Sequence, residues 1–256
     1  MSPVALRSGA DADAFHRLQT RPIAHRGLWS AGGAPENSLG AFQHAAEQDY
    51  GVELDVRLSA DGEAMVFHDE DLRRLTGLEA QVASLRAEEL RRLRLSATEE
   101  GVPSLAEALA VIGRHALVLI ELKTASGQVG PLERRVAEVM LDHRGPMAVV
   151  SFNAYSLAWF ADHHPTVLRG LNSHAFTPGE SRLSREAAED QRRLKHARLA
   201  HPDFLSLGLD MLPSPEAEAM RVKGAPVLAW TVRSQVELAV NRAHFDNFIF
   251  EGFVPS

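Results

Sequence analysis

Apolar positions fall along this chain in two alternating patterns. Short runs of strand character occur at PIAHR, YGVELDV, EAMVFH, ALVLIELK, MAVVSF, VLRGL, FLSLGLD, PVLAWTV and DNFIFE. Between most of them lie segments whose apolar residues recur every three or four positions, the spacing of an amphipathic helix. These are SLGAFQHAAEQ, SLAEALAVIGRH, PLERRVAEVMLDH, AYSLAWFADHH, SREAAEDQRRLKHARLA, SPEAEAMRVKG and SQVELAVNRAH. Several open on Ser or Pro, residues favoured at a helix N-cap and first turn. Strands alternating with helices of this length predict βαβ units and a parallel sheet.

Nine candidate strands exceed by one the number that closes a (β/α)8 barrel. The excess lies in VELDVRLSADGEAMVFHD, where Asp61-Gly62 supplies a hairpin turn in place of a crossover helix. EAMVFH is then an antiparallel return, and eight parallel strands remain. The expected fold is a single-domain TIM barrel over residues 22–256, with a β-hairpin extension after the second barrel strand and an N-terminal extension over residues 1–21. An open doubly wound sheet is the competing arrangement. It would normally carry a glycine-rich nucleotide loop, and neither GxGxxG nor a P-loop is present.

Polar residues interrupt three of these strands at the carboxyl end. Pairing about Asp61-Gly62 sets facing residues at positions summing to about 123, so His68 falls within a residue or two of Asp55. Glu53 and Asp55, two apart, share one face of their strand. In a barrel that face is the lumen, where an unpaired carboxylate is costly. Two neighbouring acids call for a cation, and hard divalent ions such as Mg²⁺ or Ca²⁺ take oxygen ligands of this kind. Glu121 and Lys123 repeat the spacing after ALVLI, and His25-Arg26-Gly27 ends the first strand. A strand end meeting water explains any one of these. In a barrel all three ends meet on one rim, where catalytic residues of such folds sit.

Composition narrows the function classes. With 256 residues, 45% apolar and 24% charged, the chain is an ordinary globular protein long enough for a large core. It has no cysteine, which excludes disulfides and thiolate chemistry and agrees with a reducing, cytoplasmic location. No secretory signal is expected in the first twenty residues. The longest apolar run, near ALVLI, is far short of the roughly 20 residues of a membrane span, so no stable membrane insertion is expected. The 27 basic and 34 acidic residues give a net charge of −7, which argues against a nucleic-acid partner. Most of the twelve histidines read as structural. His163 and His164 end a helix, His44 lies on a helix surface, and His196 and His201 belong to a solvated helix face. Trp159 and Phe160 read as helix packing, Asn153 as a strand end on the active rim, and SGQVG as a connection.

The elements AHRG (24–27), PENSLGAF (35–42), VELDVRLSADGEAMVFHDEDLRRLTG (52–77), VPSLAEAL (102–109), IELK (120–123), SFN (151–153) and WTV (230–232) resemble those of the glycerophosphodiester phosphodiesterases, in order along the chain. The resemblance is to the compact bacterial type, since only about 35 residues separate His68 from Pro103, with no room for a large inserted cap domain. It implies a TIM barrel, a divalent metal cation (Mg²⁺ or Ca²⁺, with Mn²⁺ as a further candidate), and a small-molecule glycerophosphodiester substrate cleaved to glycerol 3-phosphate and an alcohol. By the same resemblance Glu53, Asp55 and Glu121 are the metal ligands. His25 and His68 are the acid/base pair, Arg26 contacts phosphate, and Lys123 is a second cation at the phosphoryl oxygens. Trp230 is an apolar wall by the substrate, while Glu36 and Asn37 belong to an element near the site. The family's last strand commonly ends in a Thr-Asp or similar pair. Here NFIFEGFVP offers Glu251 as the substitute.

A bound cation with Arg26 and Lys123 would reverse the sign of an acidic lumen, which lets a protein of negative net charge take a phosphodiester. Two histidines suit a reaction that removes one proton and donates another. Two other functions fit the same residues. One is a lysophospholipase D-type phosphodiesterase, which would want a basic amphipathic segment that is not evident. The other is a barrel that binds phosphorylated ligands without turnover.

Overall fold

The computed structural model describes residues 11–124, 127–175, 189–190 and 192–255. Its strands are β1 (Ile23–Ala24), β2 (Gly51–Leu58), β3 (Ala64–Val66), β4 (Val118–Leu122), β5 (Met147–Ser151), β6 (Leu168–Ser173), β7 (Phe204–Gly208), β8 (Val227–Val232) and β9 (Asn247–Phe250). All but β3 pair in parallel, in the order β1-β2-β4-β5-β6-β7-β8-β9. β9 returns to β1 through Ile23 opposite Ile249 and Ala24 opposite Phe250, so the barrel closes. β3 lies outside it, antiparallel to β2, with Val56 opposite Val66. The (β/α)8 barrel with one hairpin extension is therefore what the chain forms.

The helices are α1 (Ala12–Thr20), α2 (Leu39–Glu47), α3 (Arg73–Thr76), α4 (Ala87–Arg92), α5 (Leu105–Ile112), α6 (Pro131–Asp142), α7 (Ala154–His163), α8 (Ala197–Ala200), α9 (Pro215–Val222) and α10 (Gln235–Asn241). The residues ahead of the periodic segments act as caps. Ser38, Ser104, Asn153, Ser214 and Ser234 each accept a backbone N–H of the first turn. Of the helix expected over SREAAEDQRRLKHARLA, residues 184–188 and 191 lie outside the described residues, and α8 forms its end. Ser126 of SGQVG lies outside them as well. His44 is exposed, Phe160 is buried, and His163 stacks on Trp159 at 4.4 Å.

Alternation along each strand sends side chains to two layers. Outward residues such as Leu54 and Ile120 meet Phe42 of α2, Leu109 of α5, Val136 of α6 and Leu157 of α7. Inward residues fill the lower lumen, where Ile23, Leu119, Leu168, Phe204 and Leu228 pack together. Gly170 permits this filling, since a Cβ there would stand 2.2 Å from the Phe204 ring. Beneath them α1 covers the floor with Ala14 and Leu18, and Asn247 Nδ2 donates to the carbonyls of Leu18 and Arg21. The lumen is thus solid and apolar below, and its polar side chains gather at the carboxyl ends of the strands. The connection from β3 to α5 makes a small core of its own from Met65, Phe67, Leu72, Leu90 and Leu95.

Candidate active site

At the end of β1 the chain turns sharply over the rim. His25 N donates to the carbonyl of Phe250 on β9, at 2.9 Å. Arg26 and Gly27 then take left-handed φ of 58° and 82°. Arg26 tolerates this because its neighbours hold it. Its backbone N–H donates to Glu53 Oε2 (3.0 Å) and its Nη1 to Glu36 Oε1 (2.7 Å), while Nε stands 3.3 Å from Asp55 Oδ2. At Gly27 a Cβ would come within 2.8 Å of the Ala41 backbone in α2, so glycine is required twice over.

β2 and β4 bring Glu53, Asp55 and Glu121 together, buried, with one oxygen of each within 4.8 Å of the others. Lys123 Nζ lies 3.0 Å from Asp55 Oδ1 and 2.6 Å from Glu121 Oε1. Asn37 clamps Asp55 from behind. Its Nδ2 donates to Asp55 Oδ2 (2.8 Å) and its Oδ1 accepts from Asp55 N (3.3 Å). The three acids consequently differ. Burial raises the Asp55 carboxyl, but Lys123 and then His68 outweigh it and hold the group well below its usual range. Burial, then repulsion from Asp55 and Glu121, pushes Glu53 well above it. Burial likewise raises Glu121.

This cluster fits a cation. Glu53 Oε1 is buried with no hydrogen-bond partner. Three carboxylates face two cations, Arg26 and Lys123, and Arg26 is shared with Glu36. An all-oxygen set with one orphaned acceptor and surplus negative charge suits a hard divalent ion.

Two imidazoles flank the cluster, each backed by a carboxylate. His25 Nδ1 donates to Glu251 Oε2 and His68 Nδ1 to Asp69 Oδ1, both at 2.6 Å. The tautomer follows from the partner. Burial raises the Glu251 carboxyl, but the His25 hydrogen bond and charge bring it down to about 2, so it is ionised and only accepts. Asp69 is lowered too, Arg74 and His68 outweighing burial. With Nδ1 protonated in each ring, Nε2 is the nitrogen free to exchange a proton. Burial, aided by Lys123 and Arg26, lowers His68 to about 4.

A cavity of about 320 Å³ opens between these groups and the opposite wall. One side carries His25, Arg26, Glu53, His68, Glu121 and Lys123; the other carries Phe152, Asn172, His174, Ser206 and Trp230. Trp230 meets Phe152 and His174 edge to face, with centroids 5.7 and 5.9 Å away. The residues given a site role by resemblance fall on or directly behind one cavity. Asp55, Glu36, Asn37 and Glu251 stand behind, holding the residues that line it. Asn153 caps α7 instead.

Sequence reasoning did not single out Phe152, Asn172, His174, Asp69, Arg74 or Arg233. Asp69 was findable from its place beside His68. The arginines and the aromatic wall were not, because they approach from different loops and strands.

Comparison with known proteins points one way. The model of the glycerophosphoryl diester phosphodiesterase family matches residues 25–249. Glycerophosphodiester phosphodiesterases of Caldanaerobacter subterraneus and Bacillus altitudinis are 34% identical over 150 residues and 36% identical over 153. Each alignment covers 55% of this chain and 61% of the relative, so the chain spans about three fifths of these curated relatives. Among solved structures, a phosphodiesterase of Oleispira antarctica in complex with the product sn-glycerol-3-phosphate matches with a TM-score of 0.77 and 26% identity, over 93% of this chain and 94% of that one. A glycerophosphodiester phosphodiesterase of Thermotoga maritima matches with a TM-score of 0.68 and 26% identity, over 90% and 94%.

Proposed function

The chain belongs to the glycerophosphoryl diester phosphodiesterase family, and from that premise we propose that it hydrolyses soluble glycerophosphodiesters to glycerol 3-phosphate and an alcohol. The observation that carries this reading is a buried three-carboxylate cluster and two carboxylate-backed imidazoles around one cavity. The Oleispira antarctica relative, captured with glycerol 3-phosphate as its product, supports the choice of substrate class.

Glu53, Asp55 and Glu121 would hold a divalent cation, Mg²⁺, Ca²⁺ or Mn²⁺. Bound there, such an ion supplies positive charge that polarises a phosphoryl oxygen. Arg26 and Lys123 face the same cavity and bind the non-ester oxygens. One imidazole takes a proton from the nucleophile, either a water or the glycerol 2-hydroxyl, as its oxygen bonds to phosphorus. The phosphorus–oxygen bond to the leaving alcohol breaks, and the other imidazole protonates the departing oxygen. After 2-hydroxyl attack a water then opens the cyclic phosphate. Trp230, Phe152 and His174 pack against the carbon skeleton of one arm and keep water from it. No helix among the described residues is long and apolar enough to cross a membrane.

The test is turnover of glycerophosphocholine and glycerophosphoethanolamine by the purified chain, with EDTA and with each of the three ions. Metal-dependent release of glycerol 3-phosphate is expected. Binding of the diester without turnover under any ion would overturn the reading in favour of a binding barrel.

A further inference from the structure

Each imidazole sits at the head of a three-member chain that ends in an arginine. Glu251 accepts from His25 at Oε2 and from Arg233 Nε at Oε1, the latter at 2.8 Å. Asp69 accepts from His68 at Oδ1 and from Arg74 Nε at Oδ2, the latter at 2.6 Å. The two chains share no element. Arg233 and Glu251 follow β8 and β9, whereas His68, Asp69 and Arg74 belong to the segment after β3. Yet the pattern is the same, with one carboxylate oxygen for an imidazole and the other for a guanidinium Nε.

We propose that Arg233 and Arg74 are positioning residues, each fixing the carboxylate that orients one of the two proton-transfer histidines. The histidines' roles rest on the function proposed above. A carboxylate bonded at one oxygen can still swing about its last torsion; bonded at both, its plane is set, and the ring it serves is set with it. Folding alone gives little reason for these pairs. The arginine side chains are 61% and 45% exposed, so solvent weakens their share of the pairing, although the carboxylates they meet are only 15% and 22% exposed.

The chains differ in one respect. Arg74 also donates through Nη1 and Nη2 to Glu36 (2.9 and 2.7 Å), and Glu36 holds Arg26. Arg74 therefore supports the phosphate-facing arginine as well as His68, while Arg233, which itself reaches the cavity wall, donates besides Glu251 to the carbonyl of Thr231 (3.4 Å).

The experiment compares Arg233→Met, Arg74→Met and the corresponding lysine variants by two readouts. The first needs no turnover: proton NMR of the ring Nδ1–H groups, which resonate far downfield when bonded to a carboxylate. Each methionine variant is expected to lose or shift the signal of its own histidine and keep the other. The second is kinetics with glycerophosphocholine and with a p-nitrophenyl diester, whose leaving group needs no proton. Arg233→Met should lower kcat at least tenfold with KM within about twofold. Arg74→Met should lower kcat and raise KM. One of the two should be largely spared on the nitrophenyl substrate, and it should be the one whose histidine→Ala variant is spared. Lysine should restore part of the loss.

Unchanged Nδ1–H signals in both methionine variants, or wild-type kcat, would overturn the proposal. So would equal losses on both substrates with a large fall in melting temperature, the mark of a structural role. If the wild-type chain turned over no glycerophosphodiester, the function would fall, and the spectra would still decide whether the arginines fix the carboxylates.

Discussion

The carboxylate behind His25 carries more information about the site than the ring itself. Glu251 is ionised because it is paired, and its charge stabilises the imidazolium that forms when His25 holds a second proton. Glu251→Gln keeps the shape and removes the charge. A fall in kcat of about 10²-fold or more is expected, against about 10²–10⁴-fold for His25→Ala or His68→Ala. A Gln variant with wild-type kcat would show that Glu251 only fills space. The same residues shape acid stability in metal-free protein. His68 stands near 4 when folded against 6.5 as a free group, so between those values only the unfolded chain binds its proton, and stability falls as pH drops through that window. Glu251 stands near 2 against 4.5, so its stabilisation is present above 4.5 and is lost as pH falls towards 2. Melting temperatures measured from pH 8 to 3 should therefore decline, and Glu251→Gln should lessen the decline below pH 4.5 without abolishing it, since Asp55 and Asp69 are also held below their usual range. In the sequence Glu251 stood out by position alone, as the acid after the last strand. Its partner, 226 residues away, belongs to the other end of the chain, and only barrel closure brings the two together.

At the scale of elements, short-range rules located most of what matters. Asp61-Gly62 fixed the β2–β3 hairpin, and with it the approach of His68 to Asp55; the observed Phe67 N to Asp55 O bond of 3.0 Å is one residue from the expected facing pair. The two-residue spacings Glu53/Asp55 and Glu121/Lys123 read directly as lumen-facing pairs. What escaped were groups placed by loops, such as Arg74 on the four-residue α3, where no periodicity exists to be read. The turn after β1 tests how rigidly an element end holds its chemistry. Gly27→Ala must put a Cβ at φ 82° against the α2 backbone, 2.8 Å from Ala41. Strain of roughly 1–3 kcal/mol is expected. Arg26 and His25 would shift with it, so a lower melting temperature should accompany a fall in kcat/KM of more than tenfold. An alanine variant with both values intact would mean that the turn is not what positions the pair.

Over the whole molecule, an apolar plug below and a charged rim above divide the labour between folding and function. The plug includes a helix that the apolar pattern did not predict, since α1 buries only Ala14 and Leu18 fully in the floor, with Phe15 packed partly against it, and lies ahead of the first recognised strand. Leu18→Ala should cost about 2–5 kcal/mol in denaturant titration and leave kcat of the folded protein unchanged. The rim has the opposite economy. Its three buried acids exceed its two cations, and the imbalance is eased by a tighter hold of Glu53 on its proton or by a divalent ion taking that proton's place. A bound ion should then act as a folding ligand whose affinity rises with pH, because Glu53 and Glu121 must be ionised to bind it. At about 100 times the dissociation constant the gain is about 2.7 kcal/mol. For a chain of this size that is a rise in melting temperature of about 5–10 °C. The rise at a fixed concentration of Mn²⁺, Mg²⁺ or Ca²⁺ should grow as pH is raised, and calorimetry in buffers of different ionisation enthalpy should show protons released on binding. Glu53→Gln removes one ligand charge and the larger share of the proton competition, leaving that at Glu121, so its shift should be smaller and less steep with pH. A wild-type shift that is absent for all three ions, or equally large in Glu53→Gln, would leave the acids without a metal, and Lys123 and Arg26 as the only charges that hold the cluster together.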